Sequence, residues 1–385
     1  MNQSIYLDYN ASAPLDPAVK EAMEPYLTTF FGNSRSGHAH GRRSKEAIET
    51  ARAQVAEMLG CEPDEVLFTS GGSEANNLAI KGLSWAWPVR RHIVRSALEH
   101  YSVIHAADFL ARFGVETTVV GVDGEGRVDP AEVERAMRPD TLVVSVQHAN
   151  NEIGTVQDVA AIAAIAHDHG TWMHGDAAQS VGKLPVRVDD LGVDLLTLAG
   201  HKFGGPQGIG ALYRRRGIEL VPLVHGAGHE DGLRSGTHSA ALIVGLGAAC
   251  ALVTERLESD NRRMTTLHNR LWQGVKAGYP EAQLNGHPIY RLPHTLNVSF
   301  PGLDGNDLLA SRPAISATTG AACHSGLREP SMALKAIGAS LDVGLGAVRL
   351  SLGRATTEAE IDAAVALIVG AAWTLRGAQK EAAQP

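Results

Sequence analysis

The chain has 385 residues, 44% apolar and 20% charged, a balance that excludes a disordered protein and is long enough that two domains are expected. Its formal net charge of −8 excludes a general nucleic-acid-binding surface, so any nucleic-acid role runs through another protein. Cys61, Cys250 and Cys323 make neither a disulfide framework nor a metal-ligand spacing, as in a reducing compartment, and no metal is expected. The first residues, Met1 to Leu7, lack a basic segment followed by an apolar stretch, so no secretory signal is read and a cytoplasmic location is expected.

Asp16-Pro17 opens the first predicted helix with a capping acid and a proline at the first helical position. From Ser44 to Leu59 a second helix puts Ile48, Ala51, Val55, Met58 and Leu59 on one face. Between about residues 62 and 215 short β-branched runs alternate with helical stretches, the rhythm of a mostly parallel sheet. Seven strands are predicted, at Val66–Thr69, His92–Arg95, Thr117–Val120, Leu142–Val146, Thr171–His174, Leu195–Leu198 and Gly210–Tyr213. Asp129-Pro130 starts another helix among them. The longest apolar run, Ala240 to Val253, is too short to span a bilayer and reads as a buried helix, so no membrane partner is expected. Beyond it long helices give way to short strands, at Thr295–Phe300, Ala314–Thr318 and Ala347–Ser351, and to a last helix opened by the capping box Thr357-Glu-Ala-Glu360. This change of texture marks a second domain.

Lys202 stands between the apolar strand Asp194–Leu198 and the glycine-rich Gly204-Gly-Pro-Gln-Gly-Ile-Gly210. Partial desolvation there disfavours the ammonium form and leaves a nucleophilic amine suited to an aldehyde such as that of pyridoxal phosphate, with glycines leaving room for a flat ring. A surface lysine beside a loop is the plain alternative. That cofactor also needs an acid at its pyridine nitrogen, a phosphate cradle and something flat over the ring. Asp176, closing the strand Thr171–Gly175, is placed for the acid, or else caps the segment that follows. Thr69-Ser-Gly-Gly-Ser-Glu74 follows a strand and opens a helix, which suits a phosphate or is a glycine-rich turn for geometric reasons. His100 is a candidate for stacking on the ring. Thr318-Thr-Gly-Ala-Ala-Cys323-His-Ser-Gly326 reads as a small-residue loop with one thiol, either exposed for chemistry or packed as a small apolar side chain.

Together these segments resemble the cysteine desulfurase group of pyridoxal-phosphate enzymes, within the aminotransferase class V family. The resemblance runs nearly end to end, through Tyr6-Leu-Asp-Tyr-Asn-Ala-Ser-Ala-Pro14, Gly32-Asn-Ser34, Phe68 to Ile80, His148-Ala-Asn-Asn-Glu-Ile-Gly154, Asp176-Ala-Ala-Gln-Ser180, Gly200-His-Lys202, Gly228 to Thr237, the cysteine loop and Val348 to Arg354. It implies an α/β fold of type I, with a large cofactor-binding domain over residues 14–258 and a smaller α+β domain of residues 1–13 and 259–385 carrying the cysteine. It implies pyridoxal 5'-phosphate as cofactor, Lys202 as the Schiff-base lysine, Asp176 at the pyridine nitrogen, Gln179 at the phenolic oxygen and His100 on the ring. Gly72, Ser73 and His201 bind the phosphate, and Thr237 reaches the phosphate site of a partner subunit in a homodimer. Asn151 and Arg349 hold the substrate carboxylate, Arg349 through its bidentate fork. Two positions depart from the group's pattern: Ala199 stands where a phosphate-binding serine is usual, and Thr319-Gly-Ala-Ala precedes Cys323 where relatives carry more serine.

The activity so implied is removal of sulfur from L-cysteine, giving alanine and a persulfide on Cys323 for an acceptor protein: an iron–sulfur scaffold, a thiolation enzyme or a DNA-modifying sulfur system. A selenocysteine lyase or another class V aminotransferase or lyase, with Cys323 incidental, is the alternative. A non-catalytic scaffold for sulfur-accepting partners is a third reading, opposed by the presence of Lys202, Asp176 and Arg349 together.

Overall fold

A computed structural model, described over residues 4–319, 321–324 and 327–382, arranges the alternating runs into a seven-stranded sheet. After β1 (Ile5–Tyr6) come β2 (Val66–Thr69), β3 (His92–Ser96), β4 (Glu116–Val120), β5 (Thr141–Ser145), β6 (Trp172–Asp176), β7 (Leu195–Ala199) and β8 (Gly210–Arg214). Their order across the sheet is β2, β8, β7, β6, β5, β3, β4, with β3 to β7 parallel and β8 antiparallel to both its neighbours. All seven predicted strands are present, displaced by a residue or two at their ends.

The sheet is covered on both faces, which is why its strands read as continuous apolar runs. Successive residues point to opposite cores. Val144 and Leu196 pack with Ile48, Val55, Ile162 and Leu246, whereas Val143 and Leu195 pack with Leu78, Ile80, Val103 and Leu110. Helix Ala39–Leu59 begins five residues before the predicted Ser44, because His38 Nδ1 accepts from the Gly41 N–H at 3.2 Å.

The 14-residue apolar run is the start of a 39-residue helix, Ala240–Gly278. By length and composition alone this helix and the last one could cross a bilayer. Instead the first packs on helices Pro17–Thr28, Ala39–Leu59 and Glu358–Ala382. Its second half enters a separate core, where Met264, Leu267, Leu271 and Val275 meet Leu7, Leu296, Val298, Phe300, Val348, Leu350, Ile361 and Ile368. That core is built on a second sheet, in which β9 (Gln283–Asn285), β10 (Thr295–Ser299) and β15 (Ala347–Ser351) are joined by β12 (Thr318–Thr319). β11 (Ile315–Ser316) pairs with β1, so the N-terminal residues belong to this core before the chain crosses to the large sheet. The capping box forms as predicted: the Thr357 N–H donates to Glu360 Oε2 at 2.8 Å and the Glu360 N–H to Thr357 Oγ1 at 3.2 Å.

Glu230 locks the loop before Thr237 to the large sheet. Its carboxylate accepts both Arg52 guanidinium nitrogens at 2.8 Å, His238 Nε2 at 2.7 Å and the Phe68 N–H at 2.8 Å. Burial pushes the carboxyl up, but Arg52 and His238 outweigh it and hold it down at about 2. Its folded value is therefore depressed, and its contribution is present above the ordinary carboxylate range and lost as pH falls toward 2. Glu230→Gln leaves Arg52 buried without its counter-charge and is expected to lower the unfolding free energy by about 3 kcal/mol in urea titrations at neutral pH. That deficit should shrink in acid; a deficit independent of pH would contradict the ion-pair account.

Candidate active site

The carboxyl ends of the parallel strands converge on one cavity of about 250 Å³. It is lined by Gly72, Ser73, His100, Asn151, Asp176, Gln179, Ala199, His201 and Lys202, among others. Nine sequence-predicted positions, scattered over 130 residues, are thus brought to one place.

Each arrives by a strand. β6 ends at Asp176, whose Oδ1 accepts the Ala178 N–H at 2.9 Å and whose Oδ2 accepts from Asn76 Nδ2 at 2.7 Å. The carboxylate therefore caps the following turn, as one of its two readings has it, and also lines the cavity. Asn76 Nδ2 also donates to Ser102 Oγ at 2.8 Å, and Ser102 Oγ lies 2.7 Å from His100 Nδ1. His100 is the cap of helix Tyr101–Ala111, which fixes its ring at the end of β3. This polar chain ties the acid to the histidine.

β7 ends at Ala199 and passes into the short turn Gly200–Lys202. Lys202 Nζ donates to the carbonyls of Asn10 at 2.7 Å and Ala11 at 2.9 Å. Burial first, then the Arg349 charge, pull this amine down to about 8. Burial, with Lys202 and Lys183 nearby, pulls His201 down to about 4, so its ring is neutral at physiological pH. The glycine-rich stretch beyond Lys202 has a different use from the one predicted: Gly204 and Gly205 do not line this cavity. A Cβ at Gly205 would meet the Gly200 carbonyl oxygen at 2.8 Å, so the glycine is there for the close return of the chain. Likewise a Cβ at Gly210 would stand 2.8 Å from Gly71, pressing β8 on the turn that precedes the helix Gly72–Asn77.

Arg349, on β15, is nearly buried and reaches the same region from the second core. It donates to the Asn151 carbonyl at 3.0 Å and pairs with Asp8 at 2.6 Å, while its Nε has no partner. Thr237 is exposed and lines no part of this copy's cavity. Cys323 lies on β13 (Ala321–His324), which pairs with β14 (Leu327–Pro330), so its backbone is a hairpin strand and not the irregular loop predicted. Its side chain is outside the described residues.

Three residues of the site escaped the sequence reading. Asn10 links the parts: its carbonyl accepts from Lys202 and, at 3.0 Å, from Gln179 Nε2, while its side chain donates to the Asn151 carbonyl and to Thr295 Oγ1, both at 2.9 Å. Asn76 stands one helical turn after Gly72, and its spacing was the available signal. Lys183 donates from Nζ to the Lys202 carbonyl at 2.7 Å, and nothing local marks it apart from other lysines.

The aminotransferase class-V family model matches residues 5–364. Cysteine desulfurase IscS of Klebsiella pneumoniae is 45% identical over 374 residues, 96% of this chain and 92% of that protein. A solved NifS-like protein superposes with a TM-score of 0.91 at 34% identity, covering 97% of this chain and 100% of the other. SspA, solved in complex with cysteine, superposes with a TM-score of 0.81 at 37% identity over 90% of this chain and 98% of its own. With a family model spanning nearly the whole chain and relatives matched end to end, this protein belongs to the aminotransferase class-V family.

Proposed function

We propose that the chain is an L-cysteine desulfurase that uses pyridoxal phosphate, leaving alanine and a persulfide on Cys323. The observation that carries this reading is the meeting of a depressed lysine amine, Lys202, with Asp176 and His100 around one cavity at the strand ends. The cavity fits the cofactor. A Cβ at Gly72 would stand 3.4 Å from the Ala199 Cβ, filling the cradle between helix start and strand end. Gln179 lines the same space with its buried Oε1 unpartnered.

When bound, the cofactor supplies an aldehyde for amines and an electron sink for the carbanion left by α-proton removal. The protein residues do the rest. Lys202 would anchor the group and its neutral amine would take the proton; Asp176 would keep the pyridine nitrogen charged, while Gln179 and His100 would hold the ring. First-turn N–H groups at Gly72 and Ser73, with His201, would bind the phosphate. Asn151 and the Arg349 fork orient the substrate carboxylate. Cys323, as thiolate, bonds to the substrate sulfur as the carbon–sulfur bond of cysteine breaks; cysteine plus a thiol gives alanine plus a persulfide, which balances. The persulfide then passes to an acceptor protein.

The exposure of Thr237 agrees with a role in a second copy's phosphate site, and we place the enzyme in a cytoplasmic homodimer. The two cores agree with a large domain of residues 14–258 and a small one of residues 1–13 and 259–385. The test is product balance: alanine and protein-bound sulfur should appear one for one from cysteine. Pyruvate in place of alanine would favour the alternative, a lyase in which Cys323 is incidental.

Ala199 leaves the cradle one hydroxyl short. Thr197 cannot supply it, because it is fully buried with its hydroxyl 3.2 Å from His174 Nε2. Ala199→Ser is therefore expected to slow cofactor loss during dialysis about tenfold, the worth of one hydrogen bond to a charged group. An unchanged or faster loss would place the phosphate elsewhere.

A further inference from the structure

One turn touches Lys202 directly and meets it again through a shared acceptor, the Asn10 carbonyl. The segment after β6 winds back on itself, with the Val181 N–H donating to the Ala177 carbonyl at 3.1 Å and the Lys183 N–H to the Ser180 carbonyl at 2.9 Å. From this turn Gln179 donates to the Asn10 carbonyl, the same oxygen that accepts Lys202 Nζ. Four residues on, Lys183 Nζ donates to the backbone carbonyl of Lys202 at 2.7 Å. That carbonyl closes the short turn Gly200–Lys202 and has no acceptor role within it, so an outside donor is what it lacks. Gly182, at φ +75°, brings the turn so close that a Cβ there would stand 3.0 Å from both Phe203 Cβ and Val253 Cγ1. The contact between the two segments is tight and fixed.

Lys183 and Lys202 both also line a second cavity, of about 190 Å³, whose other polar members are His294, Asp16, Asp260 and Arg354. His294 is buried with both ring nitrogens unpartnered. The charged groups acting on Lys202 are Arg349, Asp176 and Asp8, and those acting with Lys183 are Lys202, His201 and His294. Burial and the Lys202 ammonium pull Lys183 down to about 7.

We infer that Lys183 is a positioning residue for the desulfurase reaction: its amine fixes the Lys202 carbonyl, which holds the turn Gly200–Lys202 and aims the Lys202 amine at the cavity. This rests on Lys202 being the cofactor lysine. Borohydride reduction of the loaded wild-type enzyme, followed by peptide mass spectrometry, checks that premise separately: a cofactor fixed elsewhere sinks the assignment of Lys202 itself. The inference is tested on Lys183→Met and Lys183→Arg enzymes by the rate at which the apoenzyme reloads with pyridoxal phosphate, read beside the melting temperature. With the donor to the Lys202 carbonyl removed, Lys183→Met should slow reloading about tenfold. Lys183→Arg keeps a donor and should restore most of the wild-type rate. If Lys183→Met lowers the melting temperature but leaves reloading unchanged, or if Lys183→Arg reloads as slowly as Met, the inference is wrong. Should the Met variant not fold, Lys183→Leu serves with the same expected readings.

Discussion

Cys323→Ala should abolish sulfur transfer from cysteine, by more than ~10³-fold, while the loaded enzyme keeps its visible absorbance. The reason lies in a division of labour. The cavity that holds Lys202, Asp176 and His100 is lined by residues of the large domain, which the alanine substitution leaves unchanged. Nor can another described thiol substitute. Burial pushes Cys61 up to about 12, helped by Glu65, and burial pushes Cys250 upward inside helix Ala240–Gly278. Neither is a thiolate at neutral pH. The cysteine strand β13 is joined through β14 to Ser331, which donates to Glu152 in the loop bearing Asn151. The strand pair β13–β14 is therefore anchored next to the loop bearing Asn151. Persulfide formation on protein, read by thiol-specific labelling after cysteine addition, gives the answer: full persulfide yield from the alanine variant would remove Cys323 as nucleophile, and loss of absorbance would show that it supports the fold instead.

The large sheet was legible because its strands, the edge strand β4 apart, are buried on both faces and their β-branched runs have little polar alternation to confuse them. The antiparallel β8 was not foreseeable from the βαβ rhythm: Gly210 to Tyr213 reads like any other strand, and its direction follows from the short Phe203–Ile209 connection to β7. At the site, Asp176 and Lys202 were visible because each is polar at the end of an apolar run. The residues that hold them in place were not. Asn10 acts chiefly through its backbone carbonyl, which any residue would provide, and Lys183 through a contact that exists only after two turns have packed together. The extra strand given to the cysteine segment has a similar origin: small residues predict a loop, and pairing with Leu327–Pro330 overrides them.

Lys202→Ala should carry the other large effect, a fall of more than ~10⁴-fold in alanine formation, with borohydride no longer fixing the cofactor to the protein. Two roles are lost together. On the proposed mechanism the amine anchors the cofactor and, once released, takes the α-proton. In the wild type the amine titrates near 8, pulled below the ordinary lysine value first by burial and then by Arg349. Because the folded value is lowered, the neutral base predominates above about 8 and the ammonium below it; the rate of the proton-removal step should rise with pH and level off there. Lys202→Arg is the sharper control, since a guanidinium keeps the positive charge and much of the volume but gives up no proton in this range. It should be as inactive as the alanine variant. Added methylamine should restore part of the rate to Lys202→Ala, with a pH dependence following the free amine; rescue of the Arg variant to the same degree, or an Ala variant that still forms alanine at a tenth of the wild-type rate, would move the base to another residue of the cavity lining, where His100 is a candidate.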